Sequence, residues 1–305
     1  MTVGPDEQAT GLGVGWLNSW LAAIGVLRLL PDARLRWEGR GSPRAVFSGI
    51  DGDLAEAVAG AMPTVADLAR LTIARYREGY AELPRTVSPE AYRERAAVAR
   101  ANPADWSLAA TLTDLVPDGE IVHGPFDPAV PKGLTLHQRV VACRERLPAE
   151  PVSLVASVGS TINGRGDRVQ ANGLGFDITR TSAGVDASAE VMVDPVIECL
   201  AFEGLQLFPM RGDGDRAGGL QRGFTSRASQ RRAFRWPAWR QPIDLWGVDA
   251  LLDQVAATLP HDGSVTAAVG RRLRRLGVTA LFGSVYQRPR GSADTYRAYG
   301  AERLW

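Results

Sequence analysis

Residues 221–252 read QRGFTSRASQRRAFRWPAWRQPIDLWGVDALL, and they follow closely on CLAFEGLQLFPMRGDGD at 199–215. Arg222, Arg227, Arg231, Arg232, Arg235 and Arg240 alternate here with Phe224, Phe234, Trp236 and Trp239. Two readings are open. Guanidinium groups beside flat rings can hold a phosphate backbone while bases stack, with no reaction chemistry required. Alternatively Trp236, Trp239 and Trp246 are core residues, because tryptophan buries a large area and uses its N–H within the fold. Pro237 and Pro242 would then shape the chain, leaving Arg231 and Arg232 as ordinary surface charge. The first reading makes Arg222, Arg227, Arg231, Arg232, Arg235, Arg240, Trp236 and Trp239 the candidate nucleic-acid-binding residues.

Charge supports an anionic partner for this end of the chain. Residues 1–205 carry 19 basic and 26 acidic side chains, a net of −7, whereas residues 206–305 carry 16 and 8, a net of +8. The overall charge of +1 conceals that split. Arg271, Arg272, Arg274 and Arg275 crowd a helix end, where the dipole favours cations, and they can also extend a basic surface. The two halves can equally neutralise each other, since counts carry no geometry.

Outward from this stretch the chain mixes helices with short strands. Leu17, Trp20, Leu21, Ile24, Leu27 and Leu30 recur at helical spacing, and Pro31 stops the run. ARLRWEG and PRAVFSG alternate like the strands of a hairpin. Residues 53–116 are expected to be helical, with caps at Asp53, Thr64, Ser88 before Pro89, and Asn102 before Pro103. Residues 117–131 read as a loop, followed by a helix through His137 and Cys143. PVSLVASVG, starting at Pro151, is expected to be a strand buried on both faces. Residues 159–186 read as an ordered loop, and a helix from Asp194–Pro195 is expected to close on a left-handed Gly204. Two further helices, at Leu251–Leu259 and Val265–Leu276, precede the strands VTALFGSVYQ and DTYRAYG. The class is α+β with short antiparallel strands. The organisation is 1–116 followed by 117–305, or one domain throughout.

Reaction chemistry is weakly represented. His123, His137 and His261 lack partners at zinc spacing, and Cys143 and Cys199 are too few for a disulfide framework. GLGVG at 11–15 lacks the strand and spacing of a dinucleotide site, so a loop is expected. Ser157 and Ser160 lack the nucleophile-elbow pattern. Asp213 with Asp215 leaves a metal-dependent nuclease as an alternative. No cofactor is expected. The uncharged run Gln8–Leu27 is broken by glycines, so neither membrane insertion nor export is expected, and a cytoplasmic setting follows.

GWLNSWLAAIGVLRLLPDARLRWEG (15–39), GLGFD (173–177), CLAFEGLQLFPMRGDG (199–214) and FRWPAWRQPIDLWGVDALL (234–252) together resemble CRISPR-associated proteins of type I-G (formerly I-U) loci. In some relatives this region resembles an extension of the system's helicase-nuclease. Residues 53–150 show no such match. The resemblance implies a non-catalytic accessory or effector-complex subunit that meets guide RNA or target DNA and docks on other CRISPR effector proteins. It transfers no catalytic residues. The alternative is a protein-interaction module that keeps its tryptophans inside and offers its acidic half to a basic partner.

Overall fold

A helix without a charge until its last turn has no face suited to water, and the fold is built around one. In the computed structural model α1 (Leu17–Leu29) is buried from Leu17 through Leu27, on every face. Residues 6–71, 97, 101–102, 136–171, 173–174, 192–208, 222–226, 232–260, 263–287, 297–298 and 302–305 are described.

A three-stranded sheet meets α1 through β1 (Glu7–Gly13) and β2 (Arg34–Glu38), with β3 (Arg44–Ser48) between them, antiparallel in the order β1-β3-β2. The expected hairpin is β2–β3, with Trp37 opposite Ala45 and Leu35 opposite Phe47. Strand β1 corrects the loop expected at Gly11–Gly15 as far as Gly13, and Val14 and Gly15 form the turn before α1. Gly11 of β1 passes so close to the Thr161 carbonyl that a Cβ would collide with it, so the glycine serves close packing within a strand.

Helices α2 (Leu54–Ala61) and α3 (Val65–Ala69) start where their caps predict: Asp53 accepts from the Glu56 N–H at 2.9 Å, and Thr64 and Asp67 form a reciprocal capping box. Ala97 and Ala101 are helical, while Ser88, Pro89 and Pro103 lie outside the described residues. Helix α4 (Leu136–Glu145) carries His137 and Cys143, as expected.

PVSLVASVG is not a strand but the body of α5 (Pro151–Ile162). Glu150 accepts from the N–H groups of Val152 and Ser153 at 3.0 and 2.7 Å, and Pro151 fits the first helical position. Only Leu154, Val158, Thr161 and Ile162 are buried, the stripe of a helix, and Val152 is exposed. Short apolar runs look alike in both periods, and the cap decides this one.

A two-stranded ribbon, β4 (Val169–Gln170) with β5 (Met192–Val193), leads into α6 (Pro195–Gly204), capped by Asp194 as expected. Gly204 is not left-handed; its φ is −65° and a 3₁₀ turn follows. It is glycine because a Cβ would strike the Leu21 carbonyl of α1, and Gly25 of α1 stands in the same relation to Leu200. The two glycines let α1 and α6 pack backbone to backbone.

The second sheet comprises β6 (Phe224–Ser226), β7 (Arg232–Trp239), β8 (Val278–Gln287), β9 (Arg297–Ala298) and β10 (Glu302–Arg303). Its order is β10-β8-β7-β6, with β9 also on β8, and every pairing is antiparallel. Between β7 and β8 run α7 (Leu245–Thr258) and α8 (Ala267–Arg275), the latter closed by Gly277 at φ 80°. Beyond β7 the chain returns to β2: Leu35 and Ile243 exchange backbone hydrogen bonds of 2.8 and 3.1 Å. The molecule is α+β, and one continuous core runs from Ala9 to Phe282. Among the described residues no helix is long and apolar enough to cross a membrane.

Candidate nucleic-acid interface

The arginine–aromatic stretch becomes a buried strand. Phe234 through Trp239 are all buried, and Trp236 and Trp239 are fully enclosed. The Trp236 indole donates to the Val14 carbonyl at 2.7 Å and stacks between Phe234 (5.8 Å) and Phe282 (6.4 Å). Trp239 donates to the Leu35 carbonyl at 2.8 Å and meets Trp37 edge-on at 6.0 Å. Both N–H groups are satisfied and both rings are covered, which corrects their assignment as base-stacking residues. Pro237 is tolerated in β7 because β6 pairs only over Arg232–Phe234, leaving no strand neighbour at Pro237 on that side among the described residues. Its free carbonyl accepts the Trp20 indole at 3.0 Å.

The six arginines separate. Arg222 is buried: its guanidinium donates to the Asp249 and Asp253 carboxylates at 2.6 and 2.9 Å and to the Leu207 carbonyl, and it lies over the Phe208 ring. That is an internal brace, not a phosphate contact. Arg235 is also buried, opposite Gly283 in the sheet, with Gly263 against its guanidinium. Arg227 and Arg231 lie outside the described residues, as does the side chain of Arg232. Arg240 alone of the six is described and exposed.

Arg240 opens onto a groove of about 580 Å³. Its lining includes Arg240, Gln241, Arg274, Thr279, Arg303 and Trp305, and among the described residues no Asp or Glu. The groove is assembled from three parts of the chain. The Arg240 N–H donates to the Gly277 carbonyl at 3.2 Å, which ties the end of β7 to the turn between α8 and β8. Residues 302–305 are fixed on β8 by Leu304 N–H to the Leu281 carbonyl (2.8 Å) and Leu281 N–H to the Trp305 carbonyl (3.2 Å). Arg303 Nε donates to the Trp305 carbonyl at 3.1 Å, and Arg274 lies over the Trp305 ring, 5.2 Å from its centroid. Arg271, Arg272 and Arg275 are exposed on the same helix. Sequence reading found Arg240 and Arg274 but not Arg303, Trp305 or Gln241, because no local pattern signals an approach between segments.

Several of the other described chemical candidates are engaged within the fold itself. His137 is buried and its Nε2 lies 2.8 Å from the Leu68 carbonyl. Ser157 donates to the Ser153 carbonyl at 3.0 Å within α5. A second groove of about 370 Å³ is lined by Ser157, Ser160 and Asp194 among others, but Asp194 serves as the α6 cap and accepts from Thr161 at 2.8 Å. Burial pushes the Asp194 carboxyl above its usual range, outweighing the hydrogen bond from Thr161. Burial likewise raises the Cys143 and Cys199 thiols, the reverse of an activated nucleophile. Among the described residues no three His, Cys, Asp or Glu side chains gather as a metal site; His123, His261, Asp213 and Asp215 lie outside them.

No protein-family model matches this chain, and no curated protein is similar enough to assign it to a family.

Proposed function

We propose that this protein is a non-catalytic nucleic-acid-binding subunit, with Arg240, Arg274 and Arg303 contacting phosphates. The observation that carries the reading is a groove bordered by guanidinium groups from three separate segments, with no Asp or Glu among its described lining residues. Guanidinium suits phosphate through its planar fork, and no described Asp or Glu side chain lines the groove to compete for it. The type I-G resemblance supplies the biological form of the proposal: a cytoplasmic CRISPR accessory or effector-complex subunit that meets guide RNA or target DNA and docks on other effector proteins.

The test is fluorescence anisotropy with labelled RNA and DNA across a salt titration, comparing wild type with the Arg240→Ala/Arg274→Ala/Arg303→Ala variant. Every phosphate that the variant no longer neutralises is expected to flatten the log–log salt slope by about 0.7 to 0.9. An unchanged affinity and slope overturns the assignment. A protein-docking reading draws on Trp246, which is 68% exposed in the first turn of α7. Retention of the other effector proteins by the wild type, abolished by Trp246→Ala, with no retention of nucleic acid, would favour it.

A further inference from the structure

We infer that the groove takes a single-stranded nucleic acid with an unstacked base laid on Trp305, and does not grip a duplex by its backbone. The inference rests on the groove's proposed role in nucleic-acid binding and adds to it the form of the ligand. Arginines alone would serve either form, because both expose phosphates. The rest of the lining differs in kind: it includes an aromatic residue, Trp305, with the amide-bearing Gln241 and the hydroxyl-bearing Thr279. A duplex keeps its base faces stacked inside, beyond reach of an indole in a groove lining. A single strand can turn a base outward, place its π-face on the ring and offer its edge to donors and acceptors. A space of about 580 Å³ is in the range of small-ligand sites and suits a base with its sugar.

Trp305 is positioned before any ligand arrives. Its carbonyl is held by Leu281 N–H and Arg303 Nε, Arg274 lies over the ring, and the indole Nε1 edge rests on α8 at Gly270. A Cβ at Gly270 would come within 2.7 Å of that nitrogen, so the glycine fixes how deep the ring sits. Arg274 thus lies against the indole, Arg303 holds the Trp305 main chain, and both line the groove. A stacking platform held in this way loses little side-chain entropy on binding.

The experiment compares three labelled probes of equal length on the wild-type protein at matched salt: a single-stranded oligothymidine, the same strand carrying abasic sites, and a duplex. Expected are a loss of about fivefold or more in affinity for the abasic strand, and weaker binding of the duplex. Trp305→Ala should abolish the difference between intact and abasic strands while preserving the salt slope, and Trp305→Phe should restore part of it. Gly270→Ala, which keeps the indole but displaces it, should also reduce the difference. Equal affinity for intact and abasic strands, or preference for the duplex, overturns the inference while an arginine-dependent salt slope leaves the groove's proposed role standing. No salt-dependent binding to any probe overturns both. The abasic comparison needs only wild-type protein, so it decides the question even if Trp305→Ala does not fold.

Discussion

Arg222 and Arg240 come from one arginine-rich stretch and have opposite surroundings. Arg222 is 7% exposed and bridges the Leu207 carbonyl to the Asp249 and Asp253 carboxylates of α7, whereas Arg240 stands outside the core at the groove. Arg222→Ala would leave a buried carbonyl without its donor, open a gap beside Phe208, and release α7 from the preceding segment. A destabilisation of about 1–3 kcal/mol is expected, lowering Tm by about 2–4 °C for each kcal/mol, with little change in nucleic-acid affinity measured on folded protein. Arg240→Ala should show the converse, normal melting and weaker binding. A calorimetric melt and an anisotropy titration on both variants check the pair; reduced binding by Arg222→Ala at full stability would return that residue to the interface. In sequence these arginines are indistinguishable, because burial depends on what arrives from elsewhere.

The α1–α6 crossing shows the same dependence between elements. The helical period of α1 was legible, and so were Asp194 with Pro195 at the start of α6 and Pro31 beyond the end of α1. Their contact was not, since a glycine before a helix end also suits a left-handed cap. Glu203 lies in this crossing, its Cβ near Gly25, and burial pushes its carboxyl from the ordinary 4.5 up to about 7, against the pull of Arg28. An acid with a raised folded-state pKa binds more protons folded than unfolded through that interval. Its contribution therefore favours the fold most below about pH 4.5 and is lost as pH rises to about 7. Glu203→Gln removes the ionisation. It should raise Tm relative to wild type at pH 8 by a few degrees, about 2–4 °C for each kcal/mol regained, and the gain should fade towards pH 4.5. Melting both proteins across that range checks the sign; a gain that grows at acid pH would refute it. For α5 the deciding detail was local, a Glu150–Pro151 cap that outranks an apolar run easily taken for a strand.

Across the full fold, three tryptophan N–H groups join segments remote in the chain. Trp236 reaches Val14 across 222 positions, Trp20 reaches Pro237 across 217, and Trp239 reaches Leu35 across 204. The first and last thirds therefore share one core, and aromatic pairs such as Phe234–Trp236 add about 0.5–1.5 kcal/mol each beyond their buried area. These indole protons should exchange with deuterium as slowly as the most protected amides, opening only with global unfolding, while Trp246 exchanges at once. Indole resonances followed by NMR in heavy water provide the measurement, and fast exchange at Trp236 or Trp239 would contradict the enclosed core. Local sequence was enough for the α+β class, the apolar character of α1, the β2–β3 hairpin and the capped starts of α2, α3 and α6, because periodicity, caps and prolines act within a few residues. It took the assembled fold to make Trp236 and Trp239 interior, to turn Arg222 into a brace, and to bring Arg240, Arg274, Arg303 and Trp305 to one groove. Burial and charge pairing are properties of neighbours in space, and in this chain those neighbours lie up to 222 positions away.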